Sequence, residues 1–281
     1  MKTLKFALGV SLSLFCALAH AEDYNALILE RLGAMPQGGT YAKYQKSRPE
    51  NKRFDDLFTT VDDLDRALNL SPKGSLKVKP SSAGRYSFCS SATYLLFVDV
   101  ISELQKKGKI EVSPQLNQEM VSVGDSYEVI MGKLDGVGIF GHWNADGPGT
   151  AVLFERLGLG RNFLGYEQAR PGDFLKIFWN DSIGKGERGH LVLFLGENQS
   201  GDAIQVWSSN TQNSDGSSGY GTMWVEKSRI KRALFSRLEH PENLKKWLSF
   251  SQSEKSSDYL IRIRSTGSTL EEMTAVTGAA N

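Results

Sequence analysis

The segment from Ser90 to Lys107 constrains the fold most. Ala92, Tyr94, Leu95, Leu96, Phe97, Val98, Val100, Ile101 and Leu104 put apolar side chains on nearly every side of one helix. A helix with no polar face to turn to water has to run through the middle of a domain. Lys106 and Lys107 suit the negative end of its dipole, and Gly108 stops it. Cys89 stands at the opposite end, where unpaired backbone N–H groups concentrate partial positive charge.

What can cover that helix follows it in the chain. Phe174 to Trp179, His190 to Leu195, Ala203 to Trp207, Met223 to Val225 and a segment within Ile230 to Leu238 read as strands. The short Gly- and Asn-rich connections between them imply an antiparallel sheet of about five strands. The fold class is therefore α+β, a buried helix packed on an antiparallel sheet. A short helix is predicted from Thr150 to Leu157 and a closing helix after Pro241, through Leu244, Trp247 and Leu248. Gly136 to Gly149 is expected as a long loop holding His142 and Trp143, and Asn210 to Gly221 as a polar flexible loop.

The chain's beginning reads as a secretory leader over residues 1–21. Lys2 and Lys5 supply the positive start, Phe6 to Leu18 the apolar stretch, and Ala19-His20-Ala21 a small-x-small cleavage site. The apolar stretch is short for a membrane span, so no integral membrane segment is expected after cleavage, and the destination is periplasmic or secreted. Residues 22–75 form a small helical region, with one helix over Tyr24 to Leu32 and another from roughly Lys52 to Leu70. Residues 76–250 form the main domain, and residues 251–281 are expected as a polar, flexible tail.

The formal charge of +1 becomes −1 once the leader's two lysines are gone, so nothing argues for a nucleic-acid partner. No metal or cofactor is expected, since the histidines are far apart and lack companion cysteines. Cys16 leaves with the leader, and Cys89 remains as the only thiol, unable to form an internal disulfide.

A helix start lowers a thiol's pKa, and a neighbouring imidazolium lowers it further. The candidate bases are His142, His190 and His240, of which His190 opens an otherwise apolar strand. A third group must orient the imidazole through its other nitrogen, and Asn210, Gln205 and, less favourably, Ser208 lie on or just past the next strand. The backbone N–H of Cys89 is suited to an oxyanion. Arg85, Tyr86, His142 and Trp143 are candidate substrate contacts in the cleft.

Three pieces in order then resemble a known family. Phe88-Cys89-Ser90-Ser91 begins the buried helix, Arg170-Pro171-Gly172-Asp173-Phe174 enters a strand, and Gly189-His190-Leu191-Val192-Leu193-Phe194-Leu195-Gly196 follows. The combination is similar to the NlpC-type and CHAP-type cell-wall cysteine peptidases and amidases, over roughly Ser82 to Leu238. The resemblance implies a papain-like fold with Cys89 as nucleophile, His190 as base and Asn210, or else Gln205, as third residue. Asp173 falls on a position that the resemblance makes structural. It also implies an exported hydrolase acting on amides in peptidoglycan stem peptides, with peptidoglycan or another peptide as partner. The family's usual aspartate before the cysteine and glycine after the serine are here Phe88 and Ser91. No tyrosine sits at the family's usual upstream oxyanion position, although Tyr86 is close by. A non-catalytic exported module binding cell wall or protein on the same fold is the alternative, and acyl transfer to an amine a third reading.

Overall fold

The computed structural model describes residues 23–41, 60–80, 85–123, 136–212 and 218–280. The expected leader lies outside them. The helix bearing the cysteine spans Cys89–Lys106 and is buried almost throughout. The polar side chains it encloses are partnered, as buried polar groups must be. Thr93 Oγ1 bonds back to the Cys89 and Ser90 carbonyls and accepts from Trp143 Nε1, and Asp99 accepts from Arg31 Nε at 2.8 Å. At the helix start, the Ser91 hydroxyl accepts the Phe88 N–H and donates to the Phe88 carbonyl.

The strands are β1 (Thr40–Tyr41), β2 (Leu68–Leu70), β3 (Leu76–Val78), β4 (Tyr86–Ser87), β5 (Gly160–Phe163), β6 (Phe174–Phe178), β7 (Gly189–Glu197), β8 (Ala203–Gln212), β9 (Ser218–Glu226) and β10 (Arg232–Leu238). Six of them form one antiparallel sheet in the order β5-β10-β6-β7-β8-β9. The sheet exceeds the expected five strands by β5, whose Gly-Arg-Asn-Phe carries no apolar alternation. A side chain at Gly160 would collide with the Arg237 carbonyl, so the glycine lets β10 lie against β5.

Both faces of the sheet are covered, which explains why β7 reads as a continuous apolar run. Leu191 and Leu193 join Trp207, Tyr94, Phe97 and Trp143 under the long helix. The alternate residues Val192 and Phe194 join Leu175, Ile177, Val206 and Phe235 on the other side. At the entry to β6, Asp173 is fully buried and accepts from Arg237 Nε at 2.8 Å, Asn25 Nδ2 at 2.8 Å and the Arg170 N–H at 2.7 Å. Its role in the Pro-Gly-Asp turn is to lock β6 to β10 and to the first helix, Tyr24–Leu32.

Four expectations need correction. Residues 136–149 are not a long loop, because Gly138–Asn144 is a helix burying Ile139, Phe140 and Trp143. Its glycines hid a helical spacing, and Gly149 lets the next helix, Gly149–Leu157, approach so closely that a Cβ there would strike the His142 carbonyl. The polar stretch from Asn210 is strand through Gln212 and again from Ser218, with residues 213–217 outside those described. The second N-terminal helix is helical over residues 60–67, after which Leu68–Leu70 pairs with β3; residues 52–59 of that expectation lie outside those described. The expected flexible tail is two helices, Asp258–Thr266 and Leu270–Thr277, capped by Ser257 and Thr269 and burying Leu260, Ile263 and Met273. Among the described residues, no helix is long and apolar enough to cross a membrane.

Candidate active site

Three separate stretches bring their side chains to the head of the long helix. Cys89 is half-buried there, and its thiol hydrogen-bonds to His190 near the start of β7. The other side of that imidazole meets β8. His190 Nε2 lies 2.7 Å from Ser208 Oγ and 2.9 Å from Asn210 Oδ1. An amide oxygen can only accept, so Nε2 carries the hydrogen and Nδ1 is left for the sulfur. Ser208 Oγ also donates to Asn210 Oδ1 at 2.9 Å, tying the two holders together. The pairing of β8 with β9 shifts register between Ser208 and Thr211, an irregularity of the kind that re-aims side chains beside a site.

The electrostatics follow from these contacts. Burial alone would push the Cys89 thiol up. The His190 charge and hydrogen bond, the Leu191 backbone N–H and the Lys176 ammonium together outweigh it and bring the thiol down to about 6. At neutral pH the sulfur is then mostly thiolate, which is the nucleophilic form.

Tyr41 is the residue that sequence reasoning missed. Its hydroxyl hydrogen-bonds to the Cys89 side chain and to the Cys89 backbone N–H, and its ring stands edge-on to His190 with centroids 6.2 Å apart. Burial, reinforced by the negative charge at Cys89, holds the phenol well above its ordinary pKa, so it stays a donor. β1 reaches this place by pairing parallel with β4, Tyr41 opposite Ser87, while Gly38 bridges to Tyr220 of β9. A sequence signal was present in Gly38-Gly39: both take positive φ, and a side chain at Gly39 would collide with the Arg85 carbonyl.

The remaining expected contacts are distributed differently. Arg85 holds the β1 approach, its guanidinium donating to the Gln37 carbonyl at 3.0 Å and its own carbonyl accepting from Thr40. Tyr86 sits on β4 with its N–H on Asp63, outside the cleft lining. His142 is a correction: it is fully buried, with Nδ1 on the Gly138 carbonyl at 2.7 Å and Nε2 accepting from Arg156 at 2.6 Å. Burial brings its pKa down to about 4, with the Arg156 charge acting the same way and the Gly138 bond opposing. Trp143 does border the cleft, but its nitrogen is spent on Thr93 and its ring stacks on Phe97. Gln205 faces Gly196 and Trp224 across the sheet, roughly 20 Å along β7 from His190 at the usual rise per residue. It does not reach the imidazole.

The cleft beside the sulfur has a volume of about 450 Å³ and is lined by Cys89, Asn144, Asp146, Lys176, Glu187 and Leu191 among others. Among the described residues, no group of three or more His, Cys, Asp or Glu side chains is placed to hold a metal ion. Comparisons with protein-family models, curated proteins and solved structures give no match. The site therefore has to be read from its own chemistry. An ionised thiol, an imidazole fixed in one tautomer and a neutral phenol bonded to that thiol are parts suited to acyl transfer to sulfur.

Proposed function

We propose that this protein is an exported cysteine hydrolase of papain-like fold, resembling the NlpC and CHAP types, that cleaves amide bonds in peptidoglycan stem peptides. The observation that carries the reading is the line Cys89–His190–Asn210 with Ser208 beside it, together with a thiol brought to about 6. The thiolate of Cys89 attacks the amide carbon, and the carbonyl electrons move to oxygen. Tyr41 O–H and the Cys89 N–H donate to that oxyanion. As the tetrahedral intermediate collapses, the C–N bond breaks and the His190 imidazolium gives its proton to the departing amine. A thioester remains on Cys89. Water then attacks it, with His190 accepting one proton, and the carboxylic acid leaves as the thiolate returns.

Asn210 and Ser208 keep the ring turned toward sulfur through both steps, the part played by the third member of a triad. Peptidoglycan is favoured by the resemblance and by the leader-like start of the chain.

Digestion of purified sacculi tests this directly. Wild-type protein should release muropeptide fragments, identified by mass, that C89A does not release. Identical fragments from both proteins, or none from either, would overturn the proposal.

A further inference from the structure

A buried ion pair stands in the wall of the same cleft, and its cation is one of the charges that favour the Cys89 thiolate. Lys176 projects from β6 with its side chain 14% exposed, and its Nζ lies 2.5 Å from Glu187 Oε1, whose side chain is 2% exposed. Glu187 is fixed in turn, its Oε2 accepting the Gly147 N–H at 2.7 Å and the Gly184 N–H at 2.9 Å. Lys176 also stands 5.4 Å from the centre of the Phe178 ring. The pair has its own vacated space. A side chain at Gly189 would collide with Glu187 Oε1 and lie 2.8 Å from Lys176 Nζ. A side chain before the histidine would therefore force the pair to shift.

Burying two charges costs more in lost hydration than a surface pair does, and an apolar pair in their place is often no less stable. A retained pair beside a nucleophile therefore asks for a use beyond the help its cation gives the thiolate. Lys176 lies opposite Leu191 in the sheet, the residue whose N–H reaches the sulfur, and both line the cleft with Cys89. An ammonium carries three hydrogens; Glu187 Oε1 engages one direction of them, and Asp146, a second carboxylate of the cleft lining, also acts on its charge. Glu187, pinned by two backbone donors, holds the cation at a fixed height above the cleft floor.

We propose that Lys176 is the specificity-determining residue of this site, selecting substrates that carry a carboxylate adjoining the attacked carbonyl. Glu187 and Gly189 are the positioning residues that hold it there. The inference rests on Cys89 being the nucleophile of the proposed hydrolase and specifies the substrate it takes.

Alkylation of Cys89 tests it without requiring turnover. Iodoacetate carries a carboxylate beside the attacked carbon, and iodoacetamide is its neutral counterpart. The ratio of their second-order rates with wild-type protein is compared with that in K176M. Loss of the cation should lower the iodoacetate-to-iodoacetamide ratio by about tenfold, and K176R should restore most of it. An unchanged ratio in K176M overturns the proposal. Should K176M fail to fold, an unchanged ratio in folded K176Q overturns it instead. Because the probe reacts with Cys89 whether or not any amide is cut, a failure here is separate from a failure of sacculus digestion.

Discussion

The Tyr41 hydroxyl is hydrogen-bonded to Cys89 at both its side chain and its backbone N–H. This places a neutral donor where the oxygen of an attacked carbonyl would develop charge. Y41F should lower hydrolysis about a hundredfold, the usual cost of one oxyanion donor. Alkylation of Cys89 near pH 8, which forms no oxyanion, should fall far less. Equal losses in the two assays would assign Tyr41 to thiolate stabilisation instead.

The thiol gives a pH signature. Its ionised fraction grows as pH rises through about 6, so the alkylation rate of the wild type should climb to a plateau across that value. H190A removes the opposing charge and hydrogen bond while burial remains, so its midpoint should move up, to or beyond about 8.5, the value of an ordinary thiol. Rates measured from pH 4.5 to 9.5 check this, and an unmoved midpoint in H190A would break the pairing.

Ser208 and Asn210 serve the same ring nitrogen. Each single change, S208A or N210A, should lower hydrolysis by about 10- to 100-fold, the worth of a hydrogen bond to a charged group. The double variant should lose much less than the product, since both groups act on one imidazole. Steady-state kcat/KM for the four proteins gives the coupling. Q205A, facing Gly196 and Trp224, should leave kcat/KM unchanged.

His142 should make the fold sensitive to acid. Its imidazole titrates at about 4 when buried and at about 6.5 when the chain is unfolded. As pH falls from 6.5 to 4, the unfolded chain gains a proton that the folded one refuses, which favours unfolding. The loss should be on the order of 3 kcal/mol, complete near pH 4. Urea titrations at pH 7 and pH 4.5 should show a smaller difference for H142Q than for the wild type.

Much of this arrangement was legible from residues. The apolar girth of Ser90–Leu104 demanded a central helix, and the helix put Cys89 at a positive end. The alternation around His190 gave the strand, and its register with β8 brings Asn210 to the ring. Ser208, ranked below Gln205, reaches Nε2 as well: positions 208 and 210 share one face of the strand at period two, whereas 205 is out of step with both. Tyr41 was missed for another reason, although Gly38-Gly39 marks the turn that leads to it. A two-residue strand has no periodicity to detect, and the partner that fixes it, Tyr86–Ser87, is equally short. The helix around His142 hid behind glycines, and the C-terminal helices were missed because their signal lies in caps at Ser257 and Thr269 more than in apolar spacing.

The parts around the sulfur arrive on β1, the long helix, β7 and β8, drawn from positions as far apart as Tyr41 and Asn210. In a half-made molecule residue 89 is an ordinary thiol, inert in mild acid. A maleimide dye applied at about pH 6 should accordingly stain finished copies and pass over immature ones, turning the reactive centre into its own gauge of maturation.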